Sequence, residues 1–520
     1  MTTAAAVNQD KGLKAGALGL LSSVVIGVSS TAPGYSIAAT IGFVAAVVGF
    51  QSPAVMLLAF VPMLCIAYAY RELNAIDPDC GTTFSWAARA FGPRVGWMGG
   101  WGIVVADIVV MANLAQIAGQ YGFLLFGADG LAASTFWTTV VGTAWIVALT
   151  YVCYRGIEIS ARLQFLLLAV EVAAMSLFAG VALVKVYTGH AAKGAVHPKL
   201  SWFNPFDIPS FSALSAAVLL AVFIYWGWDT AVAVNEETAD KEHTPGRAAI
   251  ISTLVLLGIY ALVTVACQAF SGVGTLTNPD NQGDVLAVLG NLVLGSTLGK
   301  VLILAVLSSA AASTQTTILP TARTTLSMAA HRAIPNSIAR MHPRYQTPTT
   351  STIAMGVASV VFYVGLVMIS GNVLADSIAS LGLLIAFYYA LTGYACAWHF
   401  RHDLRTSARQ ALVKGVLPVV GAVILTFCFV KSAKDMYASD YGTTSFQGIG
   451  GVFLLGMGSL VLGLVVMVVC ELTNPPYFRA GRLTDVEPLV ITLPDAAQAP
   501  APTTIVLPDA EVPESHPVKQ

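Results

Sequence analysis

FSALSAAVLLAVFIYWGWDTAVAVNEET, residues 211–238, decides how this chain is read. It is apolar enough to cross a bilayer, yet it is broken in its middle. Residues 211–226 form one apolar run, Gly227, Trp228 and Asp229 interrupt it, and a shorter run follows that ends in Glu236 and Glu237. A glycine beside an acid at membrane depth leaves polar groups that hydrocarbon cannot satisfy, so the break must line something polar. Two roles for Asp229 stay open. It can cap the second half-helix through that helix's first amides, and the helix ends exposed by the break can together form an ion or substrate site.

Composition sets the class around that stretch. Of 520 residues, 56% are hydrophobic and 10% charged, where a soluble chain carries about 25% charged. The chain is a polytopic, all-α membrane protein in contact with lipid. A net charge of −1 and the lack of basic residues interleaved with aromatics exclude a nucleic-acid partner. The first apolar segment, 16–50, is longer than the core of a cleaved signal peptide and has no small-residue cleavage site, so it is expected to stay as the first span. The seven cysteines show no CxxC spacing and mostly fall in apolar runs, which reads as inert buried thiols. All eight histidines fall in loops or at span ends, so no histidine relay crosses the membrane. Phosphate loops, paired metal ligands and a nucleophile elbow are all missing, which argues against an ATP-driven pump or an enzyme and for a protein without metal or cofactor.

Runs of about twenty apolar residues, the length that crosses ~30 Å of hydrocarbon, number twelve: 16–49, 52–71, 95–126, 136–154, 162–187, 211–239, 248–270, 297–327, 350–370, 375–400, 411–431 and 449–470. An even number puts both termini on one side. Twenty of the 26 lysines and arginines, including every arginine, then fall on that side, which makes it the cytoplasm. The first span is interrupted as well: SSVVIGVSSTAPGYSIAATIGF, 22–43, has Ser29, Ser30, Thr31, Ala32, Pro33 and Gly34 in its middle. Pro33 removes an amide and clashes with the preceding turn, while the flanking hydroxyls can cover freed carbonyls. Broken spans five apart are the spacing of a 5+5 inverted repeat with helices 1 and 6 broken around a midplane site. The expected division is a cytoplasmic segment 1–15, a first repeat 16–190, an extracellular loop 191–210, a second repeat 211–400, two extra helices in 401–473 and a proline-rich disordered cytoplasmic tail 474–520.

Three further strings carry a resemblance. In RELNAIDPDCGTTFSWAARAFGPRVGW, 71–97, the turn signals Asp77, Pro78 and Gly81 lead into a short amphipathic helix, 82–91, at the cytoplasmic interface. With Glu72, Leu73, Phe84, Trp86, Phe91, Gly92 and Trp97, this pattern resembles the amino acid–polyamine–organocation permeases. GWDTAVAVNEET, 227–238, and YRGIEISARLQ, 154–164, are similar to the same family, and the likeness spans about residues 12–480. It implies a leucine-transporter fold with a small amine-bearing substrate between helices 1 and 6. The first break, with Ser30, Thr31, Ala32, Gly34 and Tyr35, would take a carboxylate. Carbonyls around Tyr225, Trp226 and Gly227 would take the amine beside Asp229, and Trp226 and Trp228 would cover the site.

Two positions depart from the family. Where relatives carry Gly-Ser-Gly, this chain has Thr31, Ala32 and Pro33, so carboxylate capture falls to Thr31, Ala32, Gly34 and hydroxyls, or the substrate has no carboxylate. Nine residues after Arg162, where several proton-coupled relatives place a lysine, stands Glu171. An acid in an apolar helix is a group that can carry a proton, and it can equally be a neutral structural residue. Asp107 shares a helical stripe with Met111, Leu114 and Ala118, the reading of a bundle-facing position. Substrate-amine ligand and structural partner are both open for it. Ser308 and Ser309 in the eighth span can coordinate a cation or bond back to their own helix. The expected function is a plasma-membrane importer of amino acids or related amines, proton-coupled in preference to sodium-coupled. A polyamine carrier and a non-transporting metabolite sensor are the rivals. The sequence does not fix the oligomeric state.

Overall fold

Proline and the glycines place the breaks. The computed structural model describes residues 10–278, 285–369, 371–481, 483–486, 489 and 491. The first span divides into α1 (Leu20–Ser30) and α2 (Pro33–Val48). Pro33 begins α2 at the position where a missing amide costs nothing, and Ala32 makes the corner with φ 48° and ψ 63° in the left-handed region. A short 3-10 turn leads into α3 (Ser52–Ile76), followed by α4 (Thr83–Phe91), α5 (Pro93–Leu125), the single turn α6 (Asp129–Ala132), α7 (Thr135–Tyr154) and α8 (Ile157–Tyr187). The sixth expected span divides into α9 (Phe211–Ile224) and α10 (Thr230–Ala233). Beyond it come α11 (Thr244–Leu276), α12 (Val285–Ala330), α13 (Thr349–Ile369), α14 (Gly371–His399), α15 (Ala408–Ala411), α16 (Leu417–Met436), α17 (Gly451–Thr473) and α18 (Pro475–Arg479).

Among the described residues, ten helical stretches are long and apolar enough to cross a membrane, where the sequence reading counts twelve. The difference has a local cause. Leu20–Ile76 runs as one stretch of 57 residues that contains α1, α2 and α3. The break at Gly227 leaves α9 with 14 residues, about 21 Å of helix, too short by itself for ~30 Å of hydrocarbon.

The two broken spans lie side by side. α2 packs on α9 and α1 on α10, so each half meets the opposite half of the other span. α12 backs this pair from one side together with α5 and α8, and α11 with α3 closes the other. Outward faces of α8, α13 and α17 stay apolar and exposed, as at Leu166, Val361 and Leu462.

Part of the expected disordered tail is folded. α18 presses Tyr477 and Phe478 into a cluster with Phe84 and Trp97, and the Tyr477 hydroxyl donates to the Pro93 carbonyl at 2.9 Å. Farther on, the Leu489 amide donates to the Ala330 carbonyl at 2.8 Å. An aromatic pair followed by Leu483 and Val486 supplies apolar surface that the proline count hides. The rest of that tail, from 492, lies outside the described residues, as do residues 1–9.

Candidate functional site

At the first break, every backbone amide from Thr31 to Ser36 can be followed. Thr31 and Ala32 donate back to the carbonyls of Val28 and Ser29 at 3.2 and 3.1 Å. Pro33 has no amide to give. The Gly34 amide donates to Glu171 Oε1 at 2.6 Å, the Tyr35 amide to Ser309 Oγ at 3.2 Å, and the Ser36 amide to the Ala32 carbonyl at 2.8 Å. A fully buried carboxylate from α8 therefore sits on the first amide of α2, the place where a helix end favours an anion. Its other oxygen, Oε2, has no hydrogen-bond partner. Ser308 bonds back to the Ala305 carbonyl at 2.9 Å, whereas Ser309 faces the break.

The second break touches the first. Gly227 has φ +117°, and a β-carbon there would stand 2.7 Å from the Ser30 carbonyl oxygen, so only glycine lets the two backbones approach. Ser30 Oγ and Thr230 Oγ1 are 2.8 Å apart, and Ser313 donates to the Ser30 carbonyl at 3.0 Å.

Asp229 precedes α10 but does not cap it: its backbone is helical and its side chain makes no capping bond. Its carboxylate instead accepts from Tyr389 at 2.8 Å and Tyr388 at 3.1 Å, both on α14. Trp226 Nε1 donates to the Tyr388 hydroxyl. Trp228 is fully buried with its ring 5.1 Å from Tyr70 and 5.3 Å from Tyr389. Tyr225 turns away, donating to the Met56 carbonyl at 3.1 Å, and Tyr260 takes the Ile224 carbonyl at 2.5 Å. On α5, Asp107 accepts from Thr321 at 2.5 Å.

Between the breaks lies a cavity of about 10 Å³, room for about one water. Ser30, Asp107, Trp226, Gly227, Asp229 and Thr230 line it, with Thr317 and Tyr388. Thr31, Ala32, Gly34, Tyr225 and Trp228 are not on its wall. A larger cavity of about 400 Å³ opens on the side away from the termini, bounded by Tyr35, Phe43, Asn113, Phe223 and Tyr441. Tyr35 donates its hydroxyl to Asn113 there.

The termini side is closed by charges. Lys11, 2% exposed, pairs with Asp79 at 3.0 Å and with Glu236. Arg323 and Glu237, both fully buried, make a two-point pair at 3.0 and 2.8 Å. Asp79 Oδ1 accepts from Ser327 at 2.6 Å, Gly81 N at 2.7 Å and Ser85 at 2.8 Å. The sequence reading names Glu236 and Glu237 only as the end of the sixth span and gives Lys11, Asp79, Arg323, Tyr388 and Tyr389 no part in the site. Arg323 falls at the end of the expected span 297–327 but counts there only among the cytoplasmic charges, and its place in the serine- and threonine-rich end of α12 is the available signal.

The amino acid permease family model matches residues 18–471. The chain belongs to the amino acid permease family. An uncharacterized transporter of Mycobacterium tuberculosis is 29% identical over 432 residues, covering 82% of this permease and 89% of the relative. The branched-chain amino acid permease BcaP of Lactococcus lactis is 25% identical, covering 78% and 86%. The arginine/ornithine antiporter of Latilactobacillus sakei is 23% identical, covering 87% and 95%. The permease is thus a multi-pass membrane transporter for amino acids or amines and not an enzyme.

Proposed function

We propose that the permease works by alternating access in the plasma membrane, importing an amino acid or related small amine with protons. In this reading α1 with α2 and α9 with α10 are the first and sixth of twelve spans, two inverted five-helix repeats fill 16–190 and 211–400, and both termini are cytoplasmic. The observation that carries it is the contact of the two breaks at Ser30 and Gly227, around a small cavity that holds Asp107 and Asp229. A 400 Å³ cavity on one face and a charged closure on the other support a state open away from the termini.

Glu171 is the proton carrier in this scheme. It accepts from a donor, the Gly34 amide, and the neighbouring Tyr35 amide is turned on Ser309 Oγ, so the amides of the break point at this corner. A sodium ion needs oxygen ligands, as hard cations do. Burial with one oxygen left unpaired suits a group that alternates between carboxylate and carboxylic acid.

Counterflow of labelled amino acids and amines in proteoliposomes tests the transporter reading. Exchange that saturates with substrate is the expected result. Binding without exchange would make the protein a metabolite sensor instead.

A further inference from the structure

We infer that the groove between α4 and the termini-side end of α14 is a binding site for one anionic phospholipid, with an acyl chain along α14 and the phosphate on Arg401. The inference takes the orientation proposed above, in which this end of the bundle faces the cytoplasm, and its test does not depend on transport. Phe91, Leu391, Tyr394, Ala397 and Trp398 line an open groove of about 590 Å³ that ends at Arg401. Leu391, Tyr394 and Trp398 are three and then four residues apart, which puts them on one stripe of α14. From 391 to 401 the stripe runs about 15 Å. That is half of the ~30 Å of hydrocarbon, the reach of an acyl chain from one leaflet. Neighbouring elements hold the walls in place. The rings of Phe91 and Trp398 are 6.1 Å apart, and the hydroxyls of Tyr394 and Thr426, on α16, are 3.0 Å apart.

Charge selects the head of the lipid. Arg401 Nη1 donates to the Trp398 carbonyl at 2.7 Å, and the guanidinium lies 4.6 Å over the Trp398 ring. A guanidinium stacked in this way is a planar fork already set for a phosphate. Nearby cations are balanced, Arg89 by Asp77 at 2.6 Å and Lys414 by Asp403 at 3.9 Å. Arg401, Arg405 and Arg409 are exposed and have no ion pair among the described residues. Unpaired cations beside a membrane surface attract anionic lipids, whereas a zwitterionic head would bring its own cation to the same place. Trp398, half exposed, is at the level where interfacial aromatics sit. The same helix carries the substrate side of the account: Leu391 follows Tyr389, which donates to Asp229, by two residues. A chain in the groove therefore braces the helix that positions this carboxylate.

Native mass spectrometry of the full chain in detergent, titrated with dioleoyl phosphatidylglycerol or dioleoyl phosphatidylcholine, tests the site. The first phosphatidylglycerol should bind roughly tenfold tighter than phosphatidylcholine, and Arg401→Gln should bring the two within about twofold of each other. Ala397→Phe, which fills the groove and leaves the charges, should weaken phosphatidylglycerol roughly tenfold. Glycerol 3-phosphate at the same concentration should not displace the lipid, because it has no chain for the groove. Equal binding of the two lipids, a preference that survives Arg401→Gln, or unchanged binding by Ala397→Phe overturns the site. Displacement by glycerol 3-phosphate would make it a site for free phosphate and overturn the lipid. The wild-type comparison decides the matter should either variant fail to fold. Failure of counterflow with lipid binding intact would sink the transporter reading and leave this inference standing.

Discussion

Asp229 and Glu171 are both buried acids, and their partners separate them. Asp229 rests on two phenol hydroxyls, so Tyr389→Phe leaves one carboxylate lone pair unmet at a cost of about 1–3 kcal/mol. Half-saturation of uptake for a cationic substrate should rise roughly tenfold or more, and an unchanged value would detach Tyr389 from the site. Asp229→Asn should do at least as much, because the side chain caps no helix and its charge is what remains to matter. Uptake at the wild-type level by that variant would leave the carboxylate without a role. The acids themselves were legible, since a charge in an apolar run stands out. Tyr388 and Tyr389 were not: two tyrosines in FYYALTGYA look like ordinary core, and only the packing of α14 against the break turns their hydroxyls on Asp229.

At the scale of elements, the contact between the two broken spans depends on Gly227. Valine there would bring a β-carbon to 2.7 Å from the Ser30 carbonyl in a backbone conformation that β-branched residues avoid. Gly227→Val should abolish uptake in transport assays while the protein still inserts and elutes as a single species. Wild-type uptake would remove the paired breaks from the account. Both breaks could be read from Pro33 and from Gly227 with Asp229, because a proline amid hydroxyls and a glycine beside an acid leave polar groups at membrane depth that something must satisfy. What the first break does with its amides could not be read. The reach of Glu171 from α8 and of Ser309 from α12 is a matter of tertiary packing, and no spacing within α2 encodes it.

Across the whole molecule, the termini side is locked by Lys11, Asp79, Glu236, Glu237 and Arg323. Removing one partner of a buried pair costs about 3–5 kcal/mol, so Lys11→Ala should loosen this face. Cys80, fully buried with its amide on Glu236, then reports the change. Its labelling by a thiol reagent, read by peptide mass spectrometry, should speed up tenfold or more, and an unchanged rate would mean that Lys11 does not hold the closure. Burial alone would push the Asp79 carboxyl up, but the Lys11 ammonium, His331 and the bonds from Ser327 and Gly81 outweigh it and hold Asp79 well below the usual carboxylate range. A lowered folded-state value contributes stability above the unfolded pKa of about 4 and loses it only as pH falls further. The Lys11–Asp79 pair is therefore insensitive to pH between about 5 and 8, and in the proposed scheme the pH dependence of uptake in that window is assigned to Glu171.

That assignment is the core of the account, and one measurement bears on it most directly. Glu171→Gln keeps an acceptor for the Gly34 amide but cannot gain or lose a proton. In sodium-free proteoliposomes the variant should still exchange labelled substrate and should fail to accumulate it when a pH gradient is imposed. Accumulation against a gradient at the wild-type level by Glu171→Gln would contradict proton coupling through this residue.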